Sequence, residues 1–145
     1  MSDRPVPTLT RARVLLATGV LAAVAGLTLA PRSLAWPTRS LVLELLALLP
    51  PRWSDLLLGG DADLALNVAF FVPLGAAVAL LLPLRWAPAS VVLGAAVSLT
   101  VEIAQTVVPG RVPDCGDVVA NTAGALIGTA AVMLVRLVAR TLPRR

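Results

Sequence analysis

Apolar positions fall into four long runs separated by short polar breaks, Val14–Ala30, Leu64–Leu84, a stretch opened by Pro88 and reaching Val108, and Val118–Val135. A helix needs about 20 mostly apolar residues to cross a bilayer. The pattern therefore predicts an all-α integral membrane protein, a four-helix bundle with spans at 14–30, 64–84, 88–108 and 118–135. Residues 1–13 read as a polar tail, 14–138 as a single transmembrane domain and 139–145 as a basic tail. A secretory signal peptide is the competing reading of the first run, since Arg11 and Arg13 precede it and Ser33-Leu34-Ala35 follows. An uncleaved first anchor is simpler, because further apolar segments follow.

Residues 31–62 break this rhythm. Prolines, arginines and tryptophans surround the short run Leu41–Leu49, which has Glu44 in its middle. The expectation is an interfacial helix over 41–49 in the first outer loop, with Trp36 and Trp53 at headgroup level. A re-entrant or tilted segment is the alternative. Pro109-Gly110-Arg111 ends the third run, and the following VPDCGD stretch reads as an exposed turn.

Polar residues inside the runs keep helical phase. Ser98, Glu102 and Gln105 share one face; Asp114, Asp117, Asn121, Gly124 and Gly128 share another; Asp63, Asn67, Phe70 and Leu74 share a third. Counted from the outer ends of their helices, Asn67, Glu102 and Asn121 lie at similar depth, roughly 5–9 Å at 1.5 Å per residue. A single polar layer in the outer leaflet is expected. Glu102 is the costly member, since an acid in mid-span opposes insertion by about 2.5–3.5 kcal/mol. It should face the bundle, either as part of a functional site or as hydrogen-bonded glue between helices. Glue offers only about 0.6–2 kcal/mol per bond.

Composition adds to the pattern. With 58% hydrophobic and 14% charged residues, a chain of 145 cannot bury its apolar surface in water. The chain has no histidine, which excludes imidazole chemistry and His-based metal sites. One cysteine, Cys115, excludes an internal disulfide. The pI near 11.3 comes from arginines that flank apolar runs, so positive-inside topology explains it without nucleic acid. With the amino terminus inside, eight arginines (4, 11, 13, 85, 136, 140, 144, 145) are cytoplasmic and four (32, 39, 52, 111) are outside. Both termini are thus expected in the cytoplasm.

Smaller features have bland readings beside functional ones. Gly124 and Gly128 form a close-packing face for a neighbouring helix, internal or from another copy in a homo-oligomer. Pro73 removes one mid-span backbone bond. Arg111 near Asp114 and Asp117 could clamp a headgroup, or be a loop ion pair; the two aspartates could hold a divalent cation, or cap a helix. Cys115 between two acids is a poor nucleophile.

The strings DLALNVAFFVPLG (63–75), SLTVEIAQ (98–105) and GRVPDCGDVVANTAGALIG (110–128) resemble those of VanZ-like membrane proteins. The matching positions are Asn67, Phe71, Pro73, Leu74 and Gly75, then Glu102 and Gln105, then Arg111, Asp114, Asp117, Asn121, Gly124 and Gly128. The likeness covers about residues 61–135 and is specific as an ordered set; the first 60 residues add nothing to it. It implies a bacterial plasma-membrane protein associated with low-level resistance to glycopeptides of the teicoplanin type, and it implies no particular reaction. Some members have a D-K-x-x-H segment where this chain has DADLALN.

Taken together, these readings lead to an expectation of an outward-facing polar pocket that binds an envelope amphiphile such as a lipid-linked precursor or lipoglycopeptide. Asn67, Glu102, Gln105, Arg111, Asp114, Asp117 and Asn121 are its candidate residues. A membrane-embedded hydrolase or transferase with Glu102 as acid/base, and Asp114 and Asp117 on a cation, is a second possibility. A structural or partner-stabilising subunit is a third. No cofactor is indicated.

Overall fold

The computed structural model describes residues 11–29, 32–52, 62–107 and 114–142, and among these every regular element is helical. Five helices follow in order: α1 (Arg11–Leu29), α2 (Arg32–Ala47), α3 (Ala62–Leu81), α4 (Ala89–Gln105) and α5 (Cys115–Thr141), with a 3-10 turn at Leu84–Trp86 between α3 and α4.

Two of them, α3 and α5, are long and apolar enough to cross a membrane. The Val14–Val24 part of α1, and α4, are shorter apolar helices. The expected third span shrinks to 17 residues, about 25 Å of helix. Prolines set both limits: Pro88 is its N-cap, and Pro109 disfavours helical geometry at residue 108. Likewise α3 stops at Leu81 because Pro83 follows. By contrast α5 starts three residues before the expected span and runs on past Arg136 and Arg140. Arginine is a good helix former, so a fall in hydropathy marks where a chain would leave lipid, not where its helix ends.

The expectation for the first outer loop needs correction. The helix there is α2, sixteen residues that begin at Arg32, include Trp36 and Pro37, and end at Ala47. Val42 and Leu43 pack against the core, while Trp36, Leu41, Leu45 and Leu48 are exposed. Trp53 lies outside the described residues.

The core is a cluster of Val24 from α1 with Leu66, Phe70, Phe71 and Leu74 from α3, so α3 is the central helix. It also packs along α5 through glycines. A Cβ at Gly128 would sit 2.0 Å from the Val72 carbonyl oxygen, at Gly124 2.2 Å from that of Val68, and at Gly75 2.1 Å from that of Ala125. Backbone meets backbone at all three, which only glycine permits. The glycine face of α5 is thus occupied by the chain's own α3.

In α4 the usual amphipathic order is inverted. Ser90 and Ser98 are 0% exposed and Glu102 6%, while Val92 is 70% exposed and Ile103 62%. Water would favour the opposite rotation of this helix about its axis. A hydrocarbon solvent favours the one seen, with polar atoms turned toward one another and aliphatic ones outward.

The end of the bundle formed by the α3–α4 turn and the late part of α5 is tied by polar side chains. Arg136 Nη1 donates to the carbonyls of Ala79 (3.1 Å) and Leu82 (2.8 Å), satisfying acceptors that the end of α3 leaves without helical partners. The Ser90 and Thr129 hydroxyls lie 2.6 Å apart between α4 and α5.

Candidate functional site

At the opposite end, the N-terminus of α5 meets the last turns of α4 and the first turns of α3. Asp114 is the N-cap: its Oδ1 accepts from the Gly116 N–H at 2.7 Å. A capping box would place a reciprocal carboxylate at Asp117, three residues on. Here that partner comes from another helix. Glu102 Oε2 of α4 accepts the Asp114 backbone N–H at 2.9 Å. Glu102 is therefore buried and engaged with a backbone donor at a positive helix end.

This arrangement leaves the Asp117 carboxylate for a different neighbour. It accepts a hydrogen bond from the Asn67 side chain of α3 and lies in the field of Glu102, Asp114 and Asp63. One turn deeper, Asn121 Nδ2 donates to Ser98 Oγ at 2.8 Å. Ser98 is itself one turn below Glu102 on α4. The polar side chains thus form two stacked layers, Asn67–Asp117 with Glu102 above and Ser98–Asn121 below. Gln105 is buried on the same face of α4. Within the lower layer Asn121 Oδ1 is buried and has no hydrogen-bond partner.

At the rim, Asp63 is exposed and forms an ion pair with Arg39 of α2, whose side chain is largely covered. No periodicity pointed to Arg39, because the pair joins residues 24 apart on elements of different character. Ser98 was visible as the polar residue one turn before Glu102, without any indication that Asn121 was its partner. Arg111 lies outside the described residues. Among the described residues no group of three or more carboxylate, thiolate or imidazole ligands is placed to hold a metal ion. Cys115 is an exposed free thiol. Elsewhere, an apolar crevice of about 330 Å³ opens between α1, α3 and α4, lined by Ala17, Leu21, Leu74, Val78, Gly94 and Val97 among others. It has little polar surface with which to recognise a headgroup.

The family model described as VanZ/LLP1 matches residues 16–136. Every described member of the polar layers lies within that range, and the match begins in α1, well before the motif strings that first suggest the likeness. Neither a curated protein nor a solved structure matches the chain.

Proposed function

The chain belongs to the VanZ/LLP1 family, and from that premise we propose that it is a multi-pass protein of the bacterial plasma membrane whose polar layers bind an envelope amphiphile. In this reading α1, α3, α4 and α5 are the four spans, both termini are cytoplasmic, and the Asp114 end of the bundle faces outward. Glycopeptide tolerance of the teicoplanin type is the phenotype it serves.

The observation that supports it is the convergence from three apolar helices of buried Asn67, Ser98, Glu102 and Asn121 with half-buried Asp117. Structural glue would need each polar atom to be satisfied within the protein, and Asn121 Oδ1 is not. Binding is favoured over catalysis with Glu102 as acid/base, because Glu102 Oε2 already accepts the Asp114 N–H. Asp114, the candidate metal ligand, likewise uses Oδ1 on its own helix.

The experiment is native mass spectrometry of the full chain extracted with its surrounding lipid, alongside glycopeptide susceptibility of a deletion strain complemented with each variant. Wild type should retain a specific amphiphile and restore tolerance. Asn67→Leu with Glu102→Leu should lose both at unchanged membrane level. Glu102→Gln keeps an acceptor for the Asp114 N–H and should retain binding. Complete loss of phenotype with Glu102→Gln while the amphiphile stays bound would favour catalysis instead.

A further inference from the structure

We infer that the apolar crevice between α1, α3 and α4 seats one acyl chain of an anionic phospholipid, whose phosphate is met by Arg11 and Arg85 at one end of the crevice. The inference rests on the membrane-spanning reading above and is independent of the polar layers.

The crevice holds about 330 Å³, and Thr18 is the one polar side chain in its lining. A cavity of about 150 Å³ takes a benzene ring, so this one has room for roughly a dozen carbons, a stretch of a single tail. Its three walls are helices that the membrane reading sets in lipid, where acyl chains are the solvent. A tail gains no hydrophobic free energy by leaving other tails for the crevice, because both surroundings are apolar. Selection among lipids therefore has to come from the headgroup.

The helices fix where that headgroup lies. Val24 of α1 packs with Leu66, Phe70 and Phe71 of α3. Earlier in α1, Ala17 and Leu21 line the crevice with Val78 and Leu81, later in α3. The two helices thus run antiparallel. Arg11 is seven residues before Thr18, on the same face and two turns further toward the end where α3 stops. Arg85 belongs to the Leu84–Trp86 turn at that end, which joins α3 to α4, the other two walls. Both arginines are exposed. Trp86 beside Arg85 is exposed too, an aromatic suited to headgroup level.

No acid of the described residues lies at this end. Asp63, Glu102, Asp114 and Asp117 are at the opposite one, and Glu44 is on α2, five residues after the Arg39 that pairs with Asp63. Arg136 and Arg140 in the late part of α5 add to the positive charge. A phosphodiester supplies the countercharge. A zwitterionic headgroup brings its own cation beside the phosphate and gains less.

The purified full chain in detergent micelles is offered equal amounts of phosphatidylglycerol, phosphatidylethanolamine and phosphatidylcholine with the same acyl chains. Bound lipid is read by native mass spectrometry. Phosphatidylglycerol should be retained over the other two by about tenfold or more, and the preference should fall as salt is raised. Arg11→Gln combined with Arg85→Gln should bring the three lipids toward equality. Ala17→Phe, which fills the crevice and leaves both charges, should lose phosphatidylglycerol as well. Unchanged retention in Ala17→Phe would mean that the arginines attract the lipid without the crevice. An unchanged preference in the double arginine variant would mean that the arginines do not select it. Either result, or equal retention of the three lipids by wild type, overturns the assignment. Should Ala17→Phe fail to fold, wild type decides. Phosphatidylglycerol with tails too short to fill the crevice should be retained about tenfold less, and retention equal to the long-tailed lipid would overturn the proposal. Alkaline carbonate extraction separates this from the membrane reading. A chain released by carbonate does not span the bilayer, and the inference falls with that reading. A chain that stays in the membrane and shows no lipid preference loses this site alone.

Discussion

Asp114 and Asp117 stand three residues apart at the start of α5, yet their carboxylates have different partners. Asp114 caps its own helix, so Asp114→Ala should cost about 0.5–2 kcal/mol of stability, while Asp114→Ser or Asp114→Asn should stay close to wild type. Asp117 contributes nothing to that cap, because Glu102 takes the N-cap N–H in its place. Asp117→Asn should therefore leave thermal unfolding in detergent nearly unchanged and still abolish tolerance to glycopeptide. Equal effects of the two substitutions on both readouts would contradict this division. From the sequence both acids looked like caps or like ligands, since spacing alone puts both on one face. The difference arises from the Glu102 side chain, twelve residues away from Asp114.

At the scale of helices, α3 and α5 meet through glycines whose added Cβ atoms would collide with backbone rather than with movable side-chain ends. Gly128→Ala should force the helices apart and cost about 1–3 kcal/mol, as overpacking does. Gly19 in α1 has nothing within 4 Å of the same position. Gly19→Ala should be neutral or stabilising by up to ~1 kcal/mol, through helix propensity alone. Thermal melts of the two variants followed by circular dichroism in one detergent check the contrast. The four-residue spacing of Gly124 and Gly128 marks a packing face in the sequence that Gly19 lacks, but not the element that covers it. The two substitutions differ in what faces them.

For the whole molecule, the arginine asymmetry is the ground for the proposed orientation, with the Asp114 end outside. Cys115 is the only cysteine, is exposed, and begins α5 at that end. A membrane-impermeant maleimide should label it in intact cells, and Cys115→Ser should remove the signal. Labelling confined to lysed cells, with an external control protein labelled in both, would reverse the topology. Arg136 and the Ser90–Thr129 contact lie at the other end of the bundle.

Hydrophobic runs and helical phase, read without coordinates, were enough to establish an all-α chain with helices near α1, α3, α4 and α5, and to place Ser98, Glu102 and Gln105 on one face. Those properties depend on neighbours a few residues away, and a helix satisfies its backbone locally. The extent of α2 was less legible, because Pro37 and two arginines look like breaks while the helix runs through that region. Which side chains meet was not legible at all. Glu102 with the Asp114 N–H, Asn67 with Asp117, Asn121 with Ser98 and Arg39 with Asp63 are contacts between helices. Each depends on how far one helix slides and rotates against the next, which the backbone contacts at Gly75, Gly124 and Gly128 help to set. That Asn121 meets Ser98 through Nδ2 and leaves Oδ1 without a hydrogen-bond partner is a property of that register and of nothing in the order of residues.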